Sequence, residues 1–153
     1  NLYGPFDNFD LESSHVLPAM IRKFHDAKIN NKACVDLWGS GKPFREFLYV
    51  DDLAEAIVFC VENSLPDNLY NIGNGLDVSI KKLAETVKKI VEFKGEINWD
   101  SSKPDGTPRK LMDSSKINDL GWNAKYNLEL GISKTYKWFK ENQDNYRQVK
   151  INK

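Results

Sequence analysis

Apolar residues recur along the chain at the spacing of amphipathic helices, and short apolar runs separate these helical stretches. The first helical pattern follows Ser13 and Ser14, either of which can cap a helix, and Pro18 lies in the first turn, where a missing N–H is tolerated. The apolar face of this helix carries Leu17, Met20, Ile21 and Phe24. The alternation continues without an internal repeat and predicts an α/β fold.

The next predicted elements surround a glycine-rich loop. Strand-like runs at residues 35–38 and 47–50 flank residues 39–43, whose two glycines and one proline indicate a turn. Asp51 or Asp52 is the predicted cap of the following helix, which runs to about residue 63. Its predicted inward face consists of Leu53, Ile57, Cys60 and Val61.

The second half of the chain continues the same alternation. A short apolar run at residues 69–72 ends in Gly73-Asn74-Gly75, and Ser79 is a predicted N-cap for a helix that reaches Phe93 and is stopped by Gly95. A predicted strand at 97–99 and a loop at 101–110 follow. Two more helices are predicted after them, the first capped by Asp113 and closed by Gly121 and the second capped by Asn127. The inward face of the last helix consists of Leu128, Ile132, Thr135 and Phe139.

Length and charge restrict the classes of function. The 153 residues correspond to about one domain, and a hydrophobic fraction of 41% is sufficient for a core. Because 22 basic residues balance 22 acidic ones, no broad positive field attracts a nucleic acid, and we expect no nucleic-acid partner. Because the sequence shows no membrane-length apolar segment and no secretory signal, we expect a cytoplasmic protein with no membrane partner. Because the two cysteines, Cys34 and Cys60, are too few for a disulfide framework, we expect both thiols to be reduced.

Two segments combine cations with residues that limit loop flexibility. The loop 101–110 places Lys103, Arg109 and Lys110 among two prolines and a glycine, a composition that suits a diphosphate but, taken alone, is more typical of a solvated surface loop. The segment 38–47 joins Trp38 and Arg45 on a tight connection and can stack a base and neutralise phosphate. The alternative is a hairpin in which the aromatic residues only pack.

Other motifs give weaker signals. His15 lies at a predicted helix N-terminus, where the helix dipole disfavours imidazolium, so a neutral ring there can exchange protons, although a single histidine is more often structural. Gly73-Asn74-Gly75 lacks the third glycine of a dinucleotide fingerprint and is interpreted as a turn. No Cys/His group has metal-ligand spacing, so no metal site is predicted. Two Tyr-x-x-x-Lys matches, Tyr136 with Lys140 and Tyr146 with Lys150, are interpreted as chance matches.

Read in order, these segments resemble the C-terminal half of the GDP-L-fucose synthases, which are extended short-chain dehydrogenase/reductases. The matching stretches are NLYGPFDNF (1–9), SHVLPAMIRKFHDAK (14–28), WGSGKPFREFLYVDDLAEA (38–56), YNIGNG (70–75), SKPDGTPRKLMD (102–113), LGW (120–122) and YKWFKEN (136–142). The first and third stretches indicate the wider nucleotide-sugar epimerase and dehydratase group, whereas SHVLPA followed by SKPDGTPRK narrows the match to the fucose enzymes. The resemblance implies late Rossmann strands and helices plus the smaller α/β substrate-binding domain over residues 1–153.

The resemblance also implies an activity and a set of site residues. The implied enzyme is a multifunctional oxidoreductase and isomerase of GDP-L-fucose biosynthesis, which epimerises GDP-4-keto-6-deoxy-D-mannose at carbons 3 and 5 and reduces the 4-keto group with NADPH. His15 matches a catalytic proton donor close to the cofactor NADP, and Asn1 and Leu2 match positions beside the nicotinamide. The positions matching residues that hold the GDP-sugar are Lys23, Trp38, Arg45 and Lys110.

The resemblance covers only the second half of such an enzyme. The N-terminal NADP-binding half, with its GxxGxxG turn and Ser, Tyr, Lys set, has no counterpart here, so we expect a fragment that carries the GDP-sugar site and cannot transfer hydride alone. The resemblance implies a homodimer for the intact enzyme and leaves the assembly of this chain open. Two alternatives are a related nucleotide-sugar epimerase or dehydratase and a noncatalytic nucleotide-sugar-binding module.

Overall fold

The computed structural model describes residues 1–67 and 69–146, in which five helices alternate with seven short strands. The helices are α1 (Val16–Ile29), α2 (Val50–Glu62), α3 (Ile80–Val91), α4 (Ser115–Asp119) and α5 (Leu128–Glu141). The strands are β1 (Leu2–Tyr3), β2 (Cys34–Trp38), β3 (Phe44–Glu46), β4 (Leu48–Tyr49), β5 (Asp77–Ser79), β6 (Glu96–Asp100) and β7 (Arg109–Lys110). The predicted α/β fold is confirmed.

The strands form three small sheets, two of them entirely parallel. Strand β1 pairs with β4, and β2 pairs with β6, both in parallel. Strand β3 lies at the centre of the third sheet, antiparallel to β5 and parallel to β7. Because β2 and β3 belong to different sheets, the loop 39–43 crosses between sheets and the hairpin alternative is wrong.

Two clusters of buried apolar residues hold the elements together. The larger one joins α1, α3 and α5 to the strands, with Phe24, Val87 and Ile132 among its fully buried members. The smaller one joins α2 to α4 through Ala56, Ile117 and other residues. Within the described residues no helix is long and apolar enough to cross a membrane, and no group of His, Cys, Asp or Glu side chains could hold a metal ion.

Several helix ends follow local cap chemistry and others do not. The Ser79 side chain accepts the Lys82 N–H at 3.1 Å, and the Asn127 side chain accepts the Leu130 N–H at 2.9 Å, so both predicted caps are confirmed. By contrast, α1 begins after His15 rather than after Ser13 or Ser14, because Ser13 is bound to Asp10 in the preceding turn.

The ends of α3 and α4 are also set locally. Helix α3 ends at Val91, four residues before Gly95, because Glu92 adopts the left-handed conformation with φ 63°. The N-cap of α4 is Ser114 rather than the predicted Asp113, although the Asp113 side chain accepts the Ser115 N–H at 2.9 Å. Gly121 follows the end of α4 with a positive φ.

The buried face of α2 differs from the predicted one. Helix α2 begins at Val50, directly after β4, so neither Asp51 nor Asp52 caps it. Asp52 instead points inward with Ala56, and this rotation leaves Ile57 and Val61 exposed, the latter by 81%. The inward prediction for these two apolar residues is therefore wrong.

The segment after α2 also differs from its prediction. Residues 69–72 form no strand, and the next strand is β5, which begins at Asp77. Asn71 donates to the Asp113 carbonyl oxygen at 3.1 Å, so a side chain rather than a strand ladder holds this segment. Cys34 and Cys60 are both half-buried and free, so neither forms a disulfide.

Candidate functional site

Two predicted site residues lie side by side on neighbouring strands. Arg45 on β3 and Lys110 on β7 are direct partners in the parallel register. The Arg45 Nη1 donates to the Phe44 carbonyl oxygen at 2.7 Å, which leaves most of the guanidinium donors for another acceptor. In the part of the chain that the structure describes, neither Arg45 nor Lys110 forms an ion pair.

The neighbouring cation Arg109 is differently placed. Its Nε lies 2.5 Å from the Asp77 Oδ2, and this carboxylate raises the pKa of Arg109. The sheet therefore distinguishes two adjacent cations, because Asp77 on β5 reaches across β3 to neutralise Arg109, whereas Lys110 has no such carboxylate among the described residues.

Trp38 stands at the end of β2 with its indole 65% exposed. Two ammonium groups lie over this ring: Lys23 Nζ is 5.7 Å from the centroid and Lys103 Nζ is 5.6 Å from it. Lys23 also donates to the Asp36 carbonyl oxygen at 3.0 Å, and burial lowers its pKa, an effect that the Asp36 charge opposes. Trp38 thus organises two cations beside the loop 39–43.

Asp105 fastens the loop 39–43 to the loop 101–108. The Ser40 backbone N–H donates to Asp105 Oδ1 and the Ser40 hydroxyl donates to Oδ2, both at 2.6 Å. The hydroxyl bond is the main reason that the pKa of Asp105 lies below its usual value. One residue further on, a Cβ at Gly106 would stand 3.7 Å from Arg45 Nη2, so the same loop also reaches the guanidinium.

The start of α3 supports the loop 39–43 from the other side. The Lys81 N–H donates to the Gly41 carbonyl oxygen at 2.8 Å, and the Ile80 N–H donates to that of Pro43 at 2.9 Å. The Trp99 ring lies so close to Gly41 that a Cβ there would be 2.8 Å from it. The segment between Trp38 and Arg45 is therefore held on both sides, which limits the ordering that a ligand would have to impose.

A pocket of about 240 Å³ lies beside Trp38. Its lining includes Ser14, Val16, Met20, Lys23, Leu37 and Trp38. His15 stands between the first two of these residues, exposed at the N-cap of α1, without a side-chain capping bond. The structure therefore brings the start of α1 to the same pocket as the Lys23–Trp38 pair.

A turn of hydrogen bonds holds the segment that presents His15. Asp10 Oδ1 accepts the N–H groups of Glu12 and Ser13 at 3.0 Å each, and these bonds keep the pKa of Asp10 below its usual value. Burial raises the pKa of the nearby Asp7 carboxyl, an effect that the hydrogen bond from the Asn8 N–H opposes. The imidazole therefore projects from an ordered loop into solvent.

Asn1 and Leu2, predicted to lie beside a nicotinamide, are placed by β1 and β4. The Asn1 Nδ2 donates to the Glu46 carbonyl oxygen at 2.7 Å, and Leu2 pairs with Leu48 in register. The Leu2 side chain remains about half exposed. Like the exposed His15 imidazole, it is therefore free to contact the ring of a bound nicotinamide. These residues fit the edge of a nicotinamide, whereas the described residues contain no GxxGxxG turn for the phosphates of the cofactor.

Asp105 and Glu46 were not predicted as site residues, although both lie within stretches that carry the family resemblance. The interpretation of the Tyr136–Lys140 match as chance agrees with the packing, because Tyr136 is buried and its hydroxyl lies 3.1 Å from His25 Nδ1. Lys150, from the second Tyr-x-x-x-Lys match, lies outside the described residues. Gly73-Asn74-Gly75 forms a turn, as interpreted, and leads into β5 rather than into a helix.

Comparison with known proteins identifies relatives over nearly the whole chain. The model of the NAD dependent epimerase/dehydratase family matches residues 1–73. The chain is 58% identical to a probable GDP-L-fucose synthase 1 from Oryza sativa subsp. japonica, covering 93% of this chain and 43% of the relative. It is 48% identical to the GDP-L-fucose synthase of Escherichia coli K12, covering 96% of this chain and 49% of the relative.

A solved structure agrees with this result. The crystal structure of a GDP-L-fucose synthetase from Naegleria fowleri bound to NADP superposes with a TM-score of 0.90 at 34% identity, over 97% of this chain and 45% of the other. The chain thus spans somewhat less than half the length of the relatives that it matches. Residues 1–73 thus match the NAD dependent epimerase/dehydratase family, and nearly the whole chain is similar to about half of a GDP-L-fucose synthase.

Proposed function

We propose that this chain carries the GDP-sugar-binding part of a GDP-L-fucose synthase, as a substrate-binding domain with late Rossmann elements. The intact enzyme would epimerise GDP-4-keto-6-deoxy-D-mannose at carbons 3 and 5 and reduce the 4-keto group with NADPH. The observation that carries the proposal is the placement of three predicted site residues around the loops 39–43 and 101–108, which Asp105 joins. Arg45 and Lys110 are partners on neighbouring strands, and Gly106 of the second loop approaches Arg45. Trp38 precedes the first loop and lines the pocket at the start of α1.

The cations divide the binding of the diphosphate between them. Arg45 can grip two phosphate oxygens through parallel N–H bonds, and Lys110 adds a point charge from the neighbouring strand. Lys23 and the Trp38 indole would hold the adjoining part of the GDP-sugar at the 240 Å³ pocket. The paired Arg109 is not assigned to this set because Asp77 already neutralises it.

His15 is the proposed acid in the epimerisation steps. A ketone acidifies the C–H bonds on both neighbouring carbons, so an acid/base pair can invert each centre through an enolate, with His15 delivering the proton to carbon. Its exposed position at the N-cap of α1 leaves the ring nitrogens accessible to a substrate in the neighbouring pocket. NADPH, when bound, supplies the hydride for the ketone, and Asn1, Leu2 and His15 would contact its nicotinamide side.

Calorimetric titration with GDP-fucose tests the binding function. Arg45→Ala and Lys110→Ala should each weaken binding by about 1.5–2 kcal/mol, or roughly 10- to 30-fold in Kd, because each removes a charge-assisted contact to phosphate. Lys89→Ala is the matched control, because Lys89 is a surface lysine on α3 that pairs with Glu129 at 3.5 Å. Equal weakening by all three substitutions, or no binding by the unmodified chain, would contradict the proposal.

Product analysis with the intact protein separates the enzyme from its rivals. A GDP-L-fucose synthase inverts two centres and consumes one equivalent of NADPH for each product formed. An epimerase or dehydratase of another nucleotide sugar would not combine these two results, and a noncatalytic binding module would give no product at all.

A further inference from the structure

Glu46 is a buried carboxylate next to the phosphate-binding candidate Arg45. It lies on β3 and is only 2% exposed. No ion pair reaches Glu46 within the residues that the structure describes, and its acceptors are served by backbone N–H groups instead. Gly75 donates to Oε1 at 2.8 Å and Met112 donates to Oε2 at 3.2 Å. An unpaired buried carboxylate is unfavourable unless such donors are held in place, so its position constrains them.

The two donors lie on opposite sides of β3, the strand that carries Arg45. Gly75 belongs to the turn that leads into β5, one neighbour of β3. Met112 follows Lys110 by two residues, just beyond β7, the other neighbour of β3. One carboxylate therefore joins the segments on both edges of the strand that carries Arg45.

The Gly73-Asn74-Gly75 turn is shaped to this carboxylate. A Cβ at Gly73 would stand 2.8 Å from the carboxyl carbon of Glu46, which is too close for any other residue. Gly75 has φ +73°, a conformation that side chains rarely adopt, and it directs its N–H at Oε1. The glycines of this motif thus serve the approach of Glu46, a role that a cofactor fingerprint does not explain.

The backbone of Glu46 adds a third connection. Its carbonyl oxygen accepts the Asn1 Nδ2 at 2.7 Å, at the start of β1. Glu46 therefore links the segment proposed to lie beside the nicotinamide to the two strands proposed to hold the diphosphate.

We propose that Glu46 is a positioning residue that holds Arg45 and Lys110 in the geometry required to bind the GDP-sugar diphosphate. The identity of this ligand rests on the proposed function, whereas the positioning of the two cations rests on the contacts of Glu46. The carboxylate itself touches no phosphate, and its effect reaches the ligand through the turn at Gly75 and the backbone at Met112.

The chain offers a matched control for a substitution at Glu46. Asp52 is also buried, at 1% exposure, and accepts two backbone N–H groups, from Lys125 at 2.9 Å and Tyr126 at 3.2 Å. It lies on α2, outside the sheet that carries Arg45 and Lys110. In both Glu46→Gln and Asp52→Asn, an amide nitrogen replaces one acceptor and faces a backbone donor, so the local loss is of the same kind.

Calorimetry with GDP as the probe distinguishes positioning from general destabilisation. Both variants should melt below the unmodified chain, but Glu46→Gln should raise the Kd for GDP about tenfold, whereas Asp52→Asn should leave it within about twofold. The proposal is overturned if Glu46→Gln binds GDP like the unmodified chain, or if Asp52→Asn weakens binding equally.

Two amide NMR measurements cover the remaining outcomes. If Glu46→Gln does not fold, GDP added to the unmodified chain should shift the Gly75 and Met112 amides together with Arg45, and unmoved Gly75 and Met112 signals would refute the coupling. If the unmodified chain does not bind GDP, the proposed function fails. Glu46→Gln should then still shift the Arg45 and Lys110 amides, and Asp52→Asn should not, and the opposite pattern would refute positioning by Glu46.

Discussion

Helix α5 contains a glycine whose replacement tests the packing of β1. Gly131 lies in the first turn of α5, where alanine would ordinarily favour the helix by about 0.5–1 kcal/mol. A Cβ at this position would overlap the Tyr3 hydroxyl and stand 2.8 Å from Tyr3 Cζ. Tyr3 cannot easily move away, because its ring packs edge-on against Phe47 and Tyr49 at 6.3 and 5.6 Å. We therefore expect Gly131→Ala to force α5 away from β1.

The magnitude follows from two opposing effects. Overpacking a core contact costs about 1–3 kcal/mol, and the helix preference of alanine offsets about 0.5–1 kcal/mol of it, so the middle of the two ranges gives a net loss of about 1.25 kcal/mol. For a chain of this length, such a loss lowers Tm by roughly 2–5 °C. Burial also raises the pKa of Tyr3, so the phenol stays neutral and its charge does not complicate the comparison at neutral pH.

Urea unfolding followed by circular dichroism measures this loss. Ser133→Ala is the matched control on the exposed side of α5, where the added helix preference meets no steric clash and stability should be unchanged or higher. Combining Tyr3→Phe with Gly131→Ala removes the overlapping hydroxyl and should recover part of the loss in a double-mutant cycle. A Gly131→Ala variant at least as stable as the unmodified chain would refute the packing argument.

Three further predictions concern pH, the loops and catalysis. Burial lowers the pKa of His25, whose ring nitrogens contact Tyr136 and Gln143, so the stability that neutral His25 provides is present above its ordinary pKa of 6.5 and is lost as pH falls through the lowered value. His25→Gln should flatten the decline of Tm between neutral and mildly acidic pH, and an unchanged decline would contradict this. Asp105→Asn should weaken GDP-fucose binding in calorimetry because it removes charge-assisted bonds to Ser40, and an unchanged Kd would show that the loops need no such fastening. The isolated chain should bind GDP-fucose without oxidising NADPH, because its 153 residues contain no GxxGxxG turn, and appreciable oxidation of NADPH in the presence of the keto-sugar would refute this.

Local chemistry made part of the fold predictable. Ser79 and Asn127 cap their helices because the side-chain oxygen of an N-cap residue accepts the backbone N–H three residues later in the same helix. This bond needs no tertiary partner. The same reasoning failed for α1, because a competing acceptor at Asp10 binds Ser13. It also failed for the inward face of α2, where Asp52 is buried in place of Ile57.

The candidate site shows a similar division. The motifs in the sequence predicted a set of cations and one indole, and the chemistry of those side chains made a diphosphate the natural ligand. The motifs did not indicate which cations remain unpaired and free to bind phosphate, because Arg109 and Lys110 are adjacent in the sequence and chemically similar. The pairing of β3 with β5 and β7 decided this, because it places Asp77 against Arg109 and Arg45 beside Lys110.

The sequence by itself determined the α/β alternation, two of the helix caps and the family resemblance, because each depends on residues that are close along the chain. Only the tertiary structure decided that Asp105 fastens two loops and that Glu46 joins both edges of β3, since the groups in these contacts are 65, 29 and 66 residues apart. Such contacts depend on how strands pair and which way a buried carboxylate turns. Those outcomes are set by the packing of the whole chain, which no local pattern contains.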